Sequence, residues 1–186
     1  MHASVMEFLR SEIRREDIED RDVLEIGSQD VNGSPRTVVE PFRPARYIGV
    51  DFVPGKSVDL VLDVKDLLHH FGTEKFDVVI STEMLEHAHD WKTAVRIMKR
   101  VLRPFGLLLI TTRGPGFPYH GYPHDYWRFT VDDFRGIFSD METVVLKPDV
   151  PGFPGVLFKA RKREREPVIH ETDLSRTEVA RVLGAH

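Results

Sequence analysis

The sequence predicts an α/β fold, a three-layer, doubly wound sheet of about seven strands, mostly parallel with an antiparallel last strand. The apolar runs 22–26 and 46–50 have the length of buried strands, and each has an acidic residue at its end. Segments with helical periodicity separate the later runs, as in parallel β/α units. The last two runs, 144–146 and 156–160, are joined by a Pro- and Gly-rich loop without a helix, which predicts an antiparallel pair.

The composition excludes several classes of function. The chain has 186 residues, 41% hydrophobic and 30% charged, so it can bury the core of one domain. It has no cysteine, which excludes disulfides, thiolate catalysis and cysteine-bound zinc. The net charge is −4 and the basic residues are scattered, so no nucleic-acid partner is expected. No apolar run approaches the ~20 residues of a membrane span, and no signal-peptide core is present, so the sequence predicts a cytoplasmic protein without membrane contact.

Periodicity and punctuation residues predict the other elements. Apolar residues from Val5 to Ile18 recur near helical spacing and predict an amphipathic lead-in helix. Pro104 stops a later helix, and Thr130 opens another with a Thr-x-x-acid start. The expected elements are the lead-in helix within 1–20, strands at 58–62, 75–81 and 107–111, and helices at 91–102 and 130–138.

The domain organisation follows from these elements. Residues 1–160 are expected to form a single domain. Residues 161–186 form a charged C-terminal tail, with room for one short helix around 174–183. The segment 112–129 is a long loop after the fifth strand, and its six aromatic residues argue against disorder. We expect it to be a rigid lid over a small substrate; the alternative is that it only pins the following helix to the core.

Five short segments occur in one order and at fitting distances along the chain. They are Leu24-Glu25-Ile26-Gly27, Gly49-Val50-Asp51, Leu62-Asp63-Val64, the run from Phe76 to His87 and the run from Leu102 to Ile110. Together they strongly resemble class I S-adenosylmethionine-dependent methyltransferases, in particular the broad group with Leu-Glu-His after strand four. The resemblance covers roughly residues 20–160. It implies a Rossmann-like fold, S-adenosyl-L-methionine as the cofactor, and methylation as the reaction.

The first loop departs from the family pattern. The family's acid-x-Gly-x-Gly-x-Gly becomes a sequence with Gln29 and Val31 at the second and third glycine positions. Glycine there lets the backbone approach a ligand closely. The longer loop 30–34 is expected to achieve this approach differently.

The resemblance implies a set of cofactor-binding residues at the strand ends. Asp51 would accept hydrogen bonds from the ribose hydroxyls, and Asp63 would accept one from the adenine amine. Glu25 would order the first loop and the amino end of the methionine. The full expected set is Glu25, Gly27, Ser28, Asp51, Phe52, Asp63, Val64, Ser81 and Glu83.

Three of these residues also have a structural interpretation that the sequence leaves open. Glu25 could be a buried acid that caps loop amides, and Asp51 could be a helix N-cap. Phe52 could flank the adenine or simply belong to the core.

Histidines are the candidates for the acceptor side of the reaction. Methyl transfer mainly needs alignment of donor and acceptor, and an oxygen acceptor must also lose a proton. Histidine titrates in the useful range, so His87, His120 and His124 are the candidate catalytic residues. The expected substrate-binding residues are Tyr119, Tyr122, Asp125 and Arg128, although Arg128 could instead pair with Asp132 or Asp133.

A metal site is the less favoured alternative. Some methyltransferases of catechol-like substrates use a divalent ion, and His87, His89, His120, His124 and Asp125 could converge. Their spacing fits no standard metal motif, so the sequence favours a site without a metal.

Three functions compete. The favoured one is transfer of a methyl group to a hydroxyl or amine of a small molecule, with the lid loop or a homodimer partner completing the pocket. The second is a noncatalytic methyltransferase-like binding subunit, supported by the lost glycines at 29 and 31. The third is a nicotinamide-dependent oxidoreductase, which needs Gly-x-Gly-x-x-Gly, whereas Gly27-Ser28-Gln29 breaks that pattern.

Overall fold

The structure is a computed structural model that describes residues 2–121, 123–164, 174 and 178–182. Its strands are β1 (Asp22–Ile26), β2 (Arg46–Asp51), β3 (Leu60–Val61), β4 (Phe76–Thr82), β5 (Leu102–Arg113), β6 (Trp127–Arg128), β7 (Glu142–Pro148), β8 (Gly155–Arg161) and β9 (Ala180–Arg181). Its α-helices are α1 (Ala3–Glu12), α2 (Arg15–Ile18), α3 (Arg36–Val39), α4 (Leu67–Phe71), α5 (Trp91–Val101) and α6 (Val131–Ile137). Short 3₁₀ turns occupy Glu40–Phe42, Val64–Asp66 and Leu85–His87.

Seven strands form one sheet in the order β3-β2-β1-β4-β5-β8-β7. The strands from β3 to β5 pair in parallel, and β8 pairs antiparallel with both β5 and β7. The predicted mixed sheet and its antiparallel last strand are therefore confirmed. The strand order reverses beside β1, which places a crevice at the carboxyl ends of β1 and β4.

Both faces of the sheet are buried, because alternate residues of each central strand point to opposite sides. Leu24 and Val79 pack into the layer that contains α5 and α6. Val23, Val78 and Ile80 pack against α1 and α3 on the other face. This three-layer packing holds the strand ends, and the polar residues that follow them, in fixed positions.

The predicted lead-in helix is wrong as a single helix. Ile13 has an extended backbone after α1, and α2 begins with a reciprocal cap between Arg14 and Asp17. The break lets Ile13 and Ile18 both reach the core, which one straight helix does not allow. The first helix also brings His2 to the carboxyl edge of the sheet, where it contacts Glu83.

Two further elements differ from their predicted bounds. β5 begins at Leu102 rather than 107, because the chain turns into the strand directly after α5, with Phe105 in the left-handed region. The tail contributes β9, which pairs antiparallel with β6, so a helix is wrong for Ala180–Arg181; residues 175–177 and 183, within the range of that predicted helix, lie outside the described residues. Among the described residues, no helix combines the length and apolarity needed to cross a membrane.

Candidate active site

Two adjoining cavities open at the carboxyl ends of β1, β2 and β4. One has a volume of about 490 Å³ and extends towards Asp63, and the other has a volume of about 540 Å³ and extends towards Glu25 and His120. The residues that line both are Gly27, Asp51, Phe52, Met84 and His87. Together the cavities form one continuous cleft across the switch point of the sheet.

Gly27 forms the turn that begins the cleft. Its φ of +80° lies in the left-handed region, which glycine adopts without strain. A Cβ at this position would lie 2.6 Å from Met84 Cγ, so a side chain would also collide with the far wall. The residue type at position 27 therefore follows from both backbone conformation and close packing.

Asp51 fixes the loop after β1 from the neighbouring strand. One carboxylate oxygen accepts a hydrogen bond from Gln29 N at 3.1 Å, and the other accepts one from Val53 N at 3.2 Å. The side chain lies between the two cavities, as the strand-end position predicts. The sequence left open that Glu25 caps amides of this loop. One of these amides, Gln29 N, is instead bound by Asp51.

The altered first loop is held by Asp30. Asp30 Oδ1 accepts from Gly33 N at 2.7 Å, and Oδ2 lies 2.5 Å from Lys56 Nζ. The pairing lowers the pKa of Asp30, with the Lys56 hydrogen bond as the largest cause. Gln29 and Val31 line the larger cavity, so side chains stand where the family pattern has glycine.

Glu25 is a buried carboxyl at the floor of the larger cavity. Tyr47 donates a hydrogen bond from its hydroxyl to Glu25 Oε2 at 2.6 Å. Burial raises the pKa of Glu25 to about 8, against the opposing effect of the Tyr47 hydrogen bond and the Arg36 charge. A carboxyl of this pKa is largely protonated at neutral pH, which sequence reasoning did not anticipate.

Asp63 and Val64 lie at the far end of the smaller cavity, where the resemblance places the adenine. Asp63 Oδ1 accepts from Lys65 N at 3.0 Å, and so begins a 3₁₀ turn. Phe52 is 56% exposed and lines both cavities, so the core interpretation of this residue is wrong.

Ser28 and Ser81, by contrast, are buried and do not line either of these cavities. Their contact with the cofactor stays a prediction, because neither side chain lines the cleft.

A buried arginine that the sequence did not single out joins several elements beside Glu83. Arg113 is fully buried, 2.6 Å from Glu83 and 3.1 Å from Asp149. His2 also contacts Glu83, with its backbone nitrogen 2.9 Å from the carboxylate. Glu83 has a φ of +51°, a strained conformation for a non-glycine residue. Burial raises the pKa of Glu83, but Arg113 and His2 outweigh it and lower the pKa.

The acceptor side contains a compact cluster that we call the Glu86 cluster: Glu86, His87 and His120, with Asp125 behind His120. Glu86 is fully buried and accepts from Thr112 Oγ1 at 2.8 Å. His120 Nε2 lies 3.7 Å from Glu86, and His120 Nδ1 lies 2.9 Å from Asp125. Burial lowers the pKa of His120, but these two carboxylates, Glu86 first, outweigh it and raise the pKa above its usual value.

The loop between β5 and α6 is held by a buried ion pair. Arg128 binds both carboxylate oxygens of Asp125, at 2.5 and 2.6 Å, and donates to the carbonyls of Phe117 and Pro118. The alternative pairing of Arg128 with Asp132 or Asp133 is wrong, because Asp132 pairs with Arg135 and Asp133 caps α6. Asp125 and Arg128 thus serve the loop's own structure.

The two ends of this loop meet. Phe129 N donates to Arg113 O at 3.0 Å, and Trp127 donates from its indole nitrogen to Ala88 O at 2.9 Å. Inside the loop, Phe117, His120 and Gly121 line the larger cavity, and Pro123, His124 and Tyr126 line the smaller one. The loop therefore forms a wall of the whole cleft, which supports both the lid and the anchor interpretations.

Other predicted substrate residues are less central. Tyr119 is 55% exposed and does not line either cavity, and Tyr122 lies outside the described residues. His124 contributes its carbonyl, which accepts from His87 Nδ1 at 2.5 Å, and its ring faces Tyr126.

Comparison with known proteins identifies the fold and a methyltransferase-domain match. Residues 24–110 match a family model described as a methyltransferase domain. The crystal structure of Burkholderia thailandensis 1,6-didemethyltoxoflavin-N1-methyltransferase, with bound 1,6-didemethyltoxoflavin and S-adenosylhomocysteine, superposes with a TM-score of 0.71. The two chains are 17% identical, and the match covers 87% of this chain and 79% of that one. Residues 24–110 are therefore similar to a methyltransferase domain, and the chain has the fold of class I S-adenosylmethionine-dependent methyltransferases.

Other relatives agree with a methyltransferase domain but differ in length. An S-adenosylmethionine-dependent methyltransferase from Mesorhizobium loti gives a TM-score of 0.66 at 13% identity, covering 86% of this chain and 98% of that one. Polyketide synthase ThaQ of B. thailandensis is 30% identical over 135 residues. That match covers 65% of this chain but only 6% of the synthase, so the chain corresponds to a small part of that protein.

Sequence reasoning about this methyltransferase domain missed three residues of the site. Glu86 stands inside the Leu-Glu-His motif, which was the available signal for its position. Arg113 and His2 carry no motif, and their contacts span from 30 to 81 positions along the chain.

Proposed function

We propose that this protein transfers a methyl group from S-adenosylmethionine to a hydroxyl or amine of a small molecule. The observation that carries the proposal is the cleft itself: Asp51 lies at its centre, Asp63 at one end and the Glu86 cluster at the other. A nucleoside and a small acceptor can occupy such a cleft together.

The residues of the cleft fit the cofactor. The carboxylate of Asp51 is buried and already oriented by two backbone amides. It can therefore accept hydrogen bonds from ribose hydroxyls with little further loss of side-chain entropy. Glycine at position 27 leaves room beside Met84 that a Cβ would fill. Asp63 and Val64 border the end where a base would lie, and exposed Phe52 offers a ring for stacking.

When bound, S-adenosylmethionine supplies an electrophilic methyl group on a sulfonium. The chain's task is then to align the acceptor with that methyl group and to exclude water. Described residues of the loop between β5 and α6 line both cavities, and His87 and His120 line the larger one. Either imidazole can assist removal of the acceptor's proton.

The B. thailandensis toxoflavin methyltransferase supports a small-molecule acceptor by its bound ligand, and it shares the fold across most of this chain. A homodimer that completes the pocket stays a prediction.

A second candidate function is a noncatalytic binding subunit. The side chains of Gln29 and Val31 support it, because they occupy the wall of the larger cavity where the family pattern has glycine. Loss of cofactor binding would follow if these side chains fill the space of the methionine end.

Calorimetric titration with S-adenosylhomocysteine, with NAD as the control ligand, separates the candidates. Micromolar affinity for S-adenosylhomocysteine alone supports the methyltransferase, and a screen of acceptors with labelled methyl donor then identifies the substrate class. Absence of binding by folded protein would overturn the proposal in favour of the noncatalytic subunit.

A further inference from the structure

We propose that Glu86, His87 and His120 bind a divalent first-row transition-metal ion, and that this ion holds the oxygen of the methyl acceptor. The second half of this inference rests on the proposed methyl transfer; the metal site itself does not.

The donor atoms of the three residues are already close together. One ligand atom from each lies within 4.8 Å of the other two. His120 Nε2 and Glu86 Oε1 are 3.7 Å apart. Ligand atoms on an ion with bonds of about 2.0–2.2 Å stand roughly 3–4 Å apart, so a side-chain adjustment of about 1 Å completes the site.

The Nδ1 atom of each histidine lies beside an oxygen atom. His87 Nδ1 lies 2.5 Å from the carbonyl oxygen of His124, and His120 Nδ1 lies 2.9 Å from Asp125 Oδ2. The His124 carbonyl accepts the proton on His87 Nδ1 and so leaves His87 Nε2 as the ligand nitrogen, whereas neither ring nitrogen of His120 has a hydrogen-bond partner among the described residues. Metal-binding histidines in proteins are oriented in this way by carboxylates and backbone carbonyls.

The carboxylate supplies an independent observation. Glu86 is fully buried, and its Oε1 atom has no hydrogen-bond partner among the described residues, because His120 Nε2 lies 3.7 Å away, beyond hydrogen-bond distance. Its other oxygen is occupied by Thr112 Oγ1. A buried carboxylate oxygen without a donor is costly, and a bound cation beside His120 would remove this cost.

Two imidazoles and one carboxylate favour zinc, manganese, iron, cobalt or nickel over magnesium or calcium. A three-residue ligand set leaves coordination positions open, and His87 and His120 both line the larger cavity. An acceptor hydroxyl bound there would lose its proton to solvent more easily. Its oxygen would then bond to the methyl carbon as the carbon–sulfur bond breaks, with that electron pair staying on sulfur.

The test is titration of tag-free, chelator-treated protein with Co²⁺, followed by visible absorption, and with Zn²⁺, followed by calorimetry. We expect one ion per chain and cobalt d–d bands typical of nitrogen and oxygen ligands. His87→Ala and His120→Ala should each weaken binding by about 100-fold or more. His89→Ala and His124→Ala are matched controls and should stay within about threefold, since His89 is outside the cluster and His124 contributes only its backbone carbonyl.

Thermal unfolding separates loss of binding from loss of folding, because bound metal should raise the melting temperature of wild type and of both controls but not of the ligand variants. Equal metal affinity in all five proteins, or no binding by folded wild type, would overturn the site.

A separate titration with S-adenosylhomocysteine in EDTA tests the methyltransferase proposal alone. Metal binding without methyl transfer would support the metal site but overturn its proposed role in holding the acceptor oxygen. Full methyl transfer in EDTA would overturn that role and leave His120 as a general base.

Discussion

The two ends of the cleft are built in different ways. The end near Asp51 and Asp63 uses residues at or just beyond the ends of strands. They are fixed by amides two positions away or in the loop after the neighbouring strand. The end near Glu86 and His120 is assembled from a 3₁₀ turn, a long loop, the last residue of β5 and the start of the chain. Local motifs thus describe the first end, whereas the second depends on contacts between distant segments.

The largest expected effect concerns the end assembled from distant segments. Arg113→Met would leave Glu83 and Asp149 without their shared buried cation, so we expect a loss of about 3 kcal/mol in the free energy of unfolding. Urea denaturation measures it. Arg113→Lys is the control that retains a charge, and it should recover part of the loss. Equal stability of wild type and Arg113→Met would show that the network contributes little.

The cofactor end should respond next most strongly, in affinity rather than stability. Asp51→Ala removes the central carboxylate, and we expect affinity for S-adenosylhomocysteine to fall about 100-fold, or ~2.7 kcal/mol. Asp51→Asn retains an acceptor for the Gln29 amide and separates loop order from ribose binding. Unchanged affinity in Asp51→Ala, measured by calorimetry, would contradict the ribose assignment.

Glu25 should make stability depend on pH. An unfolded glutamate has a pKa near 4.5, and the pKa of Glu25 is about 8 in the folded protein. Between these values the folded protein keeps a proton that the unfolded chain has lost, so stability falls as pH rises from about 4.5 to about 8 and then levels.

Glu25→Gln should flatten this dependence by at most about 1.4 kcal/mol per pH unit. Urea unfolding at pH 5, 6.5 and 8 measures it. Tyr47→Phe retains the carboxyl and should retain the slope. Identical slopes for wild type and Glu25→Gln would show that folding does not raise the pKa of the Glu25 carboxyl.

The smallest effect is expected for a ring of the loop wall. His124→Ala keeps the carbonyl that binds His87, so affinity for S-adenosylhomocysteine should change by about threefold or less while acceptor turnover changes more. Calorimetry and a labelled-methyl assay measure the two quantities. A loss as large as that of Asp51→Ala would make the loop part of the cofactor site.

Features that depend on local sequence could be predicted, whereas those that depend on contacts between distant segments could not. The sheet, its antiparallel end and helix α5 were predictable, because buried strands and amphipathic helices have local periods. The residues at the ends of β1 and β2 were predictable from the same runs. The split of the first helix was not, since the caps at Arg14 compete with a continuous apolar stripe.

The acceptor end was predictable only as a list of residue types. His87 and His120 were identified as chemically suitable, but their approach to buried Glu86 depends on how the loop closes. Arg113 and Asp149 became partners because β5 and the β7–β8 connection meet in space. Asp125 and Arg128 were expected at the substrate, whereas their mutual charge made pairing within the loop more favourable.

The hydrogen bond between Phe129 and Arg113 brings the loop's two boundaries to one place on the scaffold. A segment whose entry and exit coincide can change in length and composition while the sheet beneath it stays the same. Diversification of acceptor choice during evolution, or by loop grafting in the laboratory, would then require replacement of one contiguous cassette. The cofactor-binding end of the cleft would stay unchanged in such variants.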